Sequence, residues 1–306
     1  MSQFDAGELI YDRYRVLSVL GVGGQGAVYK ALDTKNGDRT VAVKVVTWND
    51  FGKTNDTLKR VTAEYAALKK IAHPSIIEVF EAHRLGEQSC YITMEYVEGE
   101  SLADRLKDGS RPLDFPQLAS VLLKVAQGLR CAHESHIIHR DLKPANILIG
   151  GGGVVKLIDF GLARDMEQGI TITETRQTVG TRNYMSPEQI MRTEKLDERT
   201  DIYALGMLAF ELAEGKAPFA AESDHEVMGG HLMKPIPRIS GKLCKVPEWY
   251  QWFVAVCGAK KRAERYQSMH EGVVFLERRL GEMGLVTEVS EPEPAWLRIL
   301  GKVAWG

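Results

Sequence analysis

From His139 the chain reads H-R-D-L-K-P-A-N-I-L-I, and from Val154 it reads V-V-K-L-I-D-F-G. The two apolar runs, N-I-L-I and V-V-K-L-I, have the length and β-branched content of a strand pair joined through Gly150–Gly153. Asp141 and Lys143 precede the first run, Asn146 opens it, and Asp159 follows the second. A merely solvated charged loop does not explain why acidic and amide groups recur at these spacings between apolar strands. Any fold open to this chain has to set those groups beside the strand pair.

Such a set suits metal-assisted phosphoryl transfer. A carboxylate must orient the attacking hydroxyl and receive its proton. Hard oxygen ligands must hold magnesium, and cations must neutralise charge growing on the phosphate. Two earlier motifs bear on the same chemistry. Gly21-x-Gly23-x-x-Gly26-x-Val28 lies between the first two of three strands, around Y-R-V-L-S-V-L, A-V-Y-K-A-L and T-V-A-V-K-V-V. Glycines let a backbone approach phosphates closely, with N–H groups aimed at the anion. A dinucleotide fold uses a similar pattern but opens a helix with it, whereas V-Y-K-A-L reads as strand. In Val41-Ala42-Val43-Lys44 the lysine, taken alone, would snorkel to solvent. Glu64 follows among the apolar positions of a helix marked by Leu58, Val61, Tyr65, Leu68 and Ile71. An ion pair from Lys44 to Glu64 would hold the ammonium against ATP phosphates.

The rest of the chain fits a two-lobed enzyme. Its 306 residues are long for one core and short for two full domains. A net charge of -2 gives no electrostatic reason to expect nucleic acid as a partner. Cys90, Cys131, Cys244 and Cys257 form no C-x-x-C pair and no zinc spacing, so they read as reduced thiols of a cytoplasmic protein. No basic-then-apolar leader opens the sequence, and no apolar run reaches the roughly 18 residues of a membrane span. A strand is expected around Ile76–Leu85, another around Cys90–Val97, a helix capped by Asp114 and Gln117, and an all-round apolar helix over Asp201–Leu212. Arg164–Val179 is a polar, threonine-rich stretch without period. The tail from Glu288 ends in W-L-R-I-L-G-K-V-A-W-G, read as a docking segment or as a stub leading into something further.

With these motifs in this order, the sequence resembles the protein kinase family over about residues 10–282. It is most similar to the eukaryotic-like serine/threonine kinases of bacteria, in which Tyr-Met-Ser-Pro-Glu-Gln, here Tyr184–Gln189, is common. The resemblance implies an α+β, bilobal kinase fold with an ATP cleft between lobes. A β-rich N-lobe with one key helix would cover residues 10–97, and a larger, mainly helical C-lobe residues 98–282. Residues 1–9 would be an extension and 283–306 a tail.

The same resemblance implies the roles of single residues. Asp141 would be the catalytic base and Lys143 would steady the γ-phosphate. Asn146 and Asp159 would hold Mg2+, with Mn2+ as a substitute. Lys44, paired with Glu64, would bind the α- and β-phosphates. The glycine-rich stretch Leu20, Gly21, Val22, Gly23, Gly24, Gln25, Gly26 and Ala27 would cover the nucleotide. Val28, Ala42 and Leu148 would sandwich adenine, with Met94 as gatekeeper and Glu95 and Val97 giving backbone hydrogen bonds. Asp201 would hold the catalytic loop, and Glu188 with Arg265 would brace the substrate lobe. Leu68, Val79, His139 and Phe160 would form a hydrophobic spine, and His133 and His136 would be structural.

Lys143 and Thr181 point to serine and threonine rather than tyrosine as acceptors, and Leu162 to some preference for serine. Arg140 beside the base implies activation by phosphate on Thr173, Thr175 or Thr178, placed by a second copy in a homodimer. The competing readings are a nucleotide-binding pseudokinase and a small-molecule kinase of related fold. Two departures stand out: Ser186-Pro187-Glu188 replaces the usual A-P-E, and His136 stands where glycine is frequent.

Overall fold

The computed structural model describes residues 4–23, 26–47, 65–85, 89–107, 109–160, 181–192 and 195–286. They fall into two compact units, residues 4–98 and residues 99–160 with 181–286.

The first unit is built on an antiparallel sheet of β1 (Leu9–Ile10), β2 (Tyr14–Gly23), β3 (Gly26–Asp33), β4 (Arg39–Thr47), β5 (Val79–Arg84) and β6 (Ser89–Glu95), in the order β1-β2-β3-β4-β6-β5. Strand periodicity sorts its side chains. Ala27, Tyr29 and Ala31 of β3 join Val41, Val43 and Val45 of β4 and Tyr91 of β6 in one buried cluster, with Ile10, Tyr14 and Val16. Val28, Ala42, Lys44, Ile92 and Met94 alternate with these and share the opposite face, where Val28 pairs with Lys44, Lys44 with Ile92 and Ala42 with Met94.

β5 starts later than its sequence suggests. The His73 ring accepts the Ser75 N–H at 3.0 Å, and the His73 carbonyl accepts the Ile76 N–H at 3.0 Å. That turn at Pro74 ends at Ile76, which forms an isolated bridge, and the continuous strand begins only at Val79. Of the expected helix over Leu58–Ile71, residues 65–68 are described and helical. Residues 69–71 leave the helix in a turn that ends it earlier than expected, and residues 58–64, including Glu64, lie outside the described residues.

The second unit pairs a small antiparallel sheet with helices. The sheet runs β7 (Gly99–Ser101), β8 (Ile147–Gly150), β9 (Val155–Leu157). The helices are α1 (Leu102–Leu106), α2 (Phe115–Glu134), α3 (Pro187–Met191), α4 (Arg199–Glu214), α5 (Asp224–Met233), α6 (Glu248–Cys257) and α7 (Met269–Glu282). The expected cap of α2 is a reciprocal one: Asp114 accepts the Gln117 N–H at 2.9 Å, and Gln117 accepts the Asp114 N–H at 3.2 Å. α4 is buried on nearly every side, as its unbroken apolar composition requires, and ends at Gly215 with φ of 79°. α2 and α6 pack on it, and α7 packs on α2. Among the described residues no helix is long and apolar enough to cross a membrane.

One buried ion pair ties α3 to the helical body. Arg265 Nη1 and Nη2 donate to Glu188 Oε1 and Oε2 at 2.8 and 2.9 Å. The remaining guanidinium donors reach the carbonyls of Ala259, Arg199 and Lys260. Burial alone would push the Glu188 carboxyl up, but hydrogen bonding and charge from Arg265 hold it below its ordinary value. Removing the cation strands a buried carboxylate. Arg265→Ala is therefore expected to lose about 3–5 kcal/mol of unfolding free energy, measured by urea denaturation. Arg265→Lys should recover only part of it, because an ammonium cannot span both carboxylate oxygens and three carbonyls.

Candidate active site

The polar loop between α2 and β8 is held from beneath by one carboxylate. Asp201, in the first turn of α4, is fully buried. Its Oδ2 accepts the His139 N–H at 2.7 Å and its Oδ1 accepts the Arg140 N–H at 2.8 Å. His133 Nε2 donates to Oδ2 at 2.7 Å. The backbone bends beside it, with Arg140 at φ of 62°, and His136, at φ of 59°, closes the end of α2 through Ile137 N–H to the Ala132 carbonyl. These are left-handed values that L-residues adopt rarely. Burial opposes charge on Asp201, but the hydrogen bond and charge of His133, with further help from His139, keep its carboxyl below the ordinary range.

His139 adds a second anchor. Its ring is fully buried and packs at a tilt against Phe160, centroids 4.5 Å apart. Burial lowers its pKa and keeps the imidazole neutral. The neutral ring uses both nitrogens: Nε2 donates to the Ile158 carbonyl at 3.1 Å, and Nδ1 accepts the Asp141 N–H at 3.4 Å.

The chain then folds back on itself. Pro144 opens a single 3-10 turn over Pro144–Asn146, which returns Asn146 to Asp141. Asn146 Nδ2 donates to the Asp141 carbonyl at 2.8 Å and to Asp141 Oδ2 at 3.1 Å. Lys143 Nζ lies 2.9 Å from the same Oδ2. Three of the expected site residues thus meet on one carboxylate oxygen. Asn146 turns its donor end to Asp141, so its carbonyl oxygen is aimed elsewhere. That oxygen and the Asp159 carboxylate are hard donors of the kind that could hold Mg2+ or Mn2+. Asp159 sits at φ of 53°, strain of a sort that gathers at functional sites. Leu148 lies in β8, half-buried.

In the first unit the glycines divide by purpose. Gly26, at φ of +141°, would place a Cβ 1.8 Å from the Val45 carbonyl oxygen, so packing alone demands glycine there. Gly21 and Gly23 would place a Cβ in open space, with nothing within 4 Å. No neighbour among the described residues requires them to be glycine, and bare backbone there is the kind of surface that a ligand's phosphates could approach closely. Leu20 and Val22 are exposed beside them. Val28, Ala42, Lys44 and Met94 share one sheet face, and Glu95 ends β6 with Val97 just beyond. Ala27 points the other way, into the core, so only its backbone is available to a nucleotide. Leu68 and Val79 are buried here. Gly24, Gln25, Glu64, Leu162, Thr173, Thr175 and Thr178 lie outside the described residues, as do the loop 161–180 and the tail 287–306.

Gln189 has a role that motif reading missed. Ser186 caps α3 by accepting the Gln189 N–H at 3.4 Å, and Gln189 Oε1 accepts the Ser186 N–H at 3.0 Å. The free end of that amide, Nε2, donates to the Arg140 carbonyl at 2.9 Å. Serine in place of the usual alanine supplies the cap, and the signal was the S-x-x-Q spacing itself.

The protein kinase domain family matches the chain over residues 14–272. The chain belongs to the protein kinase family. It is 33% identical over 299 residues to a probable serine/threonine-protein kinase of Clostridium perfringens, covering 97% of this chain and 43% of that protein. It is 34% identical over 265 residues to the probable serine/threonine-protein kinase PknB of Lactococcus lactis, covering 87% and 42%. To the serine/threonine-protein kinase PrkC of Bacillus subtilis it is 34% identical over 267 residues, covering 87% and 40%. The chain thus spans less than half the length of these three kinases. The two units have the make-up of the kinase fold, an antiparallel sheet in one and a mainly helical body in the other.

Asp201→Asn tests the anchor of this kinase loop. The amide keeps the size but turns one acceptor into a donor facing a backbone N–H. Hydrogen exchange at the His139 and Arg140 amides should accelerate by about 10-fold or more. Unchanged protection would contradict the anchoring role.

Proposed function

We propose that this chain is a serine/threonine protein kinase that transfers the γ-phosphate of ATP to hydroxyl groups of proteins. The observation that carries the reading is the convergence of Lys143 Nζ and Asn146 Nδ2 on Asp141 Oδ2, at 2.9 and 3.1 Å. A carboxylate so fixed can accept a hydroxyl proton while a lysine beside it meets the phosphate being transferred.

In this reading the serine or threonine oxygen attacks the γ-phosphorus, its proton passes to Asp141, and ADP leaves. Lys143 steadies the γ-phosphate. Lys44, supported by Glu64, binds the α- and β-phosphates, and the stretch from Leu20 to Ala27 covers them. Val28, Ala42 and Leu148 contact adenine, Met94 limits the space behind it, and the backbone at Glu95 and Val97 hydrogen-bonds it. Asn146 and Asp159 hold the metal; Mg2+ or Mn2+ bound there neutralises charge on the phosphates. The protein kinases named above support serine and threonine as acceptors, as does Lys143. Residues 10–97 and 98–282 serve as the two lobes.

Regulation follows from the same chemistry. Phosphate on Thr173, Thr175 or Thr178 adds charge and acceptor oxygens that pair with the Arg140 guanidinium, and a second copy of the chain places it. A cytoplasmic setting accords with four free cysteines.

Asp141→Asn is expected to lower phosphorylation of a basic protein substrate on the order of 100-fold or more, while leaving binding of a fluorescent ATP analogue close to wild type. Near-normal turnover would remove Asp141 from the role of base. Asp159→Ala should weaken the magnesium dependence of nucleotide binding. The same magnesium titration in both proteins would sink the metal assignment.

A further inference from the structure

The peptide between Arg140 and Asp141 is held at both ends, and the two holds come from different parts of the second unit. Its N–H, that of Asp141, donates to the His139 carbonyl at 2.8 Å, closing a three-residue turn centred on Arg140. Turns of this kind with a positive φ at the centre are rare and strained, and Arg140 has φ of 62°. Its carbonyl, that of Arg140, accepts from Gln189 Nε2 at 2.9 Å. Asp201 takes the N–H groups of the two preceding peptides, those of His139 and Arg140. The Cα of Asp141, which carries the proposed base, is the next atom along the chain after the peptide that Gln189 holds.

Ser186 settles which end of the Gln189 amide faces Arg140. Gln189 Oε1 accepts the Ser186 N–H at 3.0 Å and the Ser186 hydroxyl at 3.3 Å. Turned over, the amide would set its NH2 against the Ser186 N–H and its oxygen against the Arg140 carbonyl, two repulsions in place of two bonds. The side chain is buried, where an unmatched carbonyl is costly. α3 is itself braced through the neighbouring residue. Glu188 accepts from Arg265 Nη1 and Nη2, and from Thr200 Oγ1 at 3.0 Å. Two adjacent side chains of one short helix thus face opposite anchors, Glu188 the helical body and Gln189 the polar loop.

We infer that Gln189 is a positioning residue for Asp141: its bond to the Arg140 carbonyl keeps the Arg140–Asp141 peptide in its strained turn and so sets the direction in which the Asp141 carboxylate leaves the loop. Asn146 ties Asp141 on the far side, through the Asp141 carbonyl at 2.8 Å and Oδ2 at 3.1 Å. Gln189 supplies the tie on the near side. A strained peptide released at its carbonyl can turn toward a more ordinary backbone, and the carboxylate moves with it. A base displaced by a fraction of its hydrogen-bond reach loses rate more than it loses binding. The inference rests on the kinase reading for the role of Asp141 as base. The hold on the peptide does not depend on it.

Gln189→Glu separates the two ends of the amide. A glutamate keeps the acceptor for the Ser186 N–H, since S-x-x-E makes the same reciprocal cap, but its carboxylate has no donor for the Arg140 carbonyl. Gln189→Met, neutral and of similar length, also lacks the donor and leaves the Ser186 hydroxyl bonded to the main-chain N–H at that position. The full chain, labelled with 15N, would be followed by amide hydrogen exchange and by steady-state kinetics with a basic protein substrate. In both variants exchange at the Asp141 amide is expected to accelerate about 10-fold, while the His139 and Arg140 amides, bound by Asp201, keep their protection. The kcat should fall about 10-fold, with the KM for ATP and the KM for the protein little changed. Ser186→Ala, which weakens the cap and leaves the Gln189 donor in place, should lower the melting temperature with kcat near wild type. Unchanged exchange at Asp141 in both Gln189 variants would overturn the hold. Faster exchange with an unchanged kcat would overturn the positioning role, as would an equal loss of kcat in Ser186→Ala, which would trace the effect to the integrity of α3. If wild type phosphorylates no protein, the kinase reading falls, while the exchange at Asp141 still decides whether Gln189 fixes the peptide.

Discussion

Asp201 is a carboxylate in a place where carboxylates are expensive, the first turn of a helix buried on nearly every side. It stays charged because two consecutive backbone N–H groups and an imidazole converge on it. Arg140 takes left-handed backbone between those bonds, just before Asp141 emerges. Without a buried anion, nothing beneath the loop would satisfy the His139 and Arg140 amides. The position of the proposed base is thus a consequence of an electrostatic demand met by a residue 60 positions further along the chain.

The rest of the second unit reinforces that arrangement. His139 presents a neutral ring that bonds on both sides and carries Phe160 on its face. Gln189 bonds the Arg140 carbonyl, so the Arg140 peptide is held by its N–H from α4 and by its carbonyl from α3. α3 is only five residues long, too short to be stable alone. Its reciprocal Ser186 and Gln189 cap and the Glu188–Arg265 pair hold it in place. Buried ions here act as fixed points of geometry more than as net sources of stability.

Much of this was legible in the sequence. Strand composition and turn signals identified the β2–β4 meander. The S/T/D-x-x-Q spacing identified the start of α2, and unbroken apolarity identified α4. Motif spacing brought out Asp141, Lys143, Asn146 and Asp159, and the family resemblance added Asp201, Glu188 and Arg265. Less legible were matters that depend on contacts between distant segments. β5 begins at Val79 rather than at Ile76, which follows a turn at His73 that no periodicity records. Ala27 lies inside the glycine-rich motif, yet strand alternation sends its side chain to the core. His133 looks like an ordinary helix residue until α4 brings Asp201 to it. The bond from Gln189 to the Arg140 carbonyl joins residues 49 positions apart, and no local pattern marks it.

The account's central claim is that this chain moves phosphate from ATP to the hydroxyl of a serine or threonine in a protein. Its most direct test is phosphoamino-acid analysis of a basic protein substrate after incubation with the wild-type chain, Mg2+ and ATP labelled in the γ-phosphate. The account predicts label on phosphoserine and phosphothreonine. Label confined to free phosphate, or to phosphotyrosine, would contradict it.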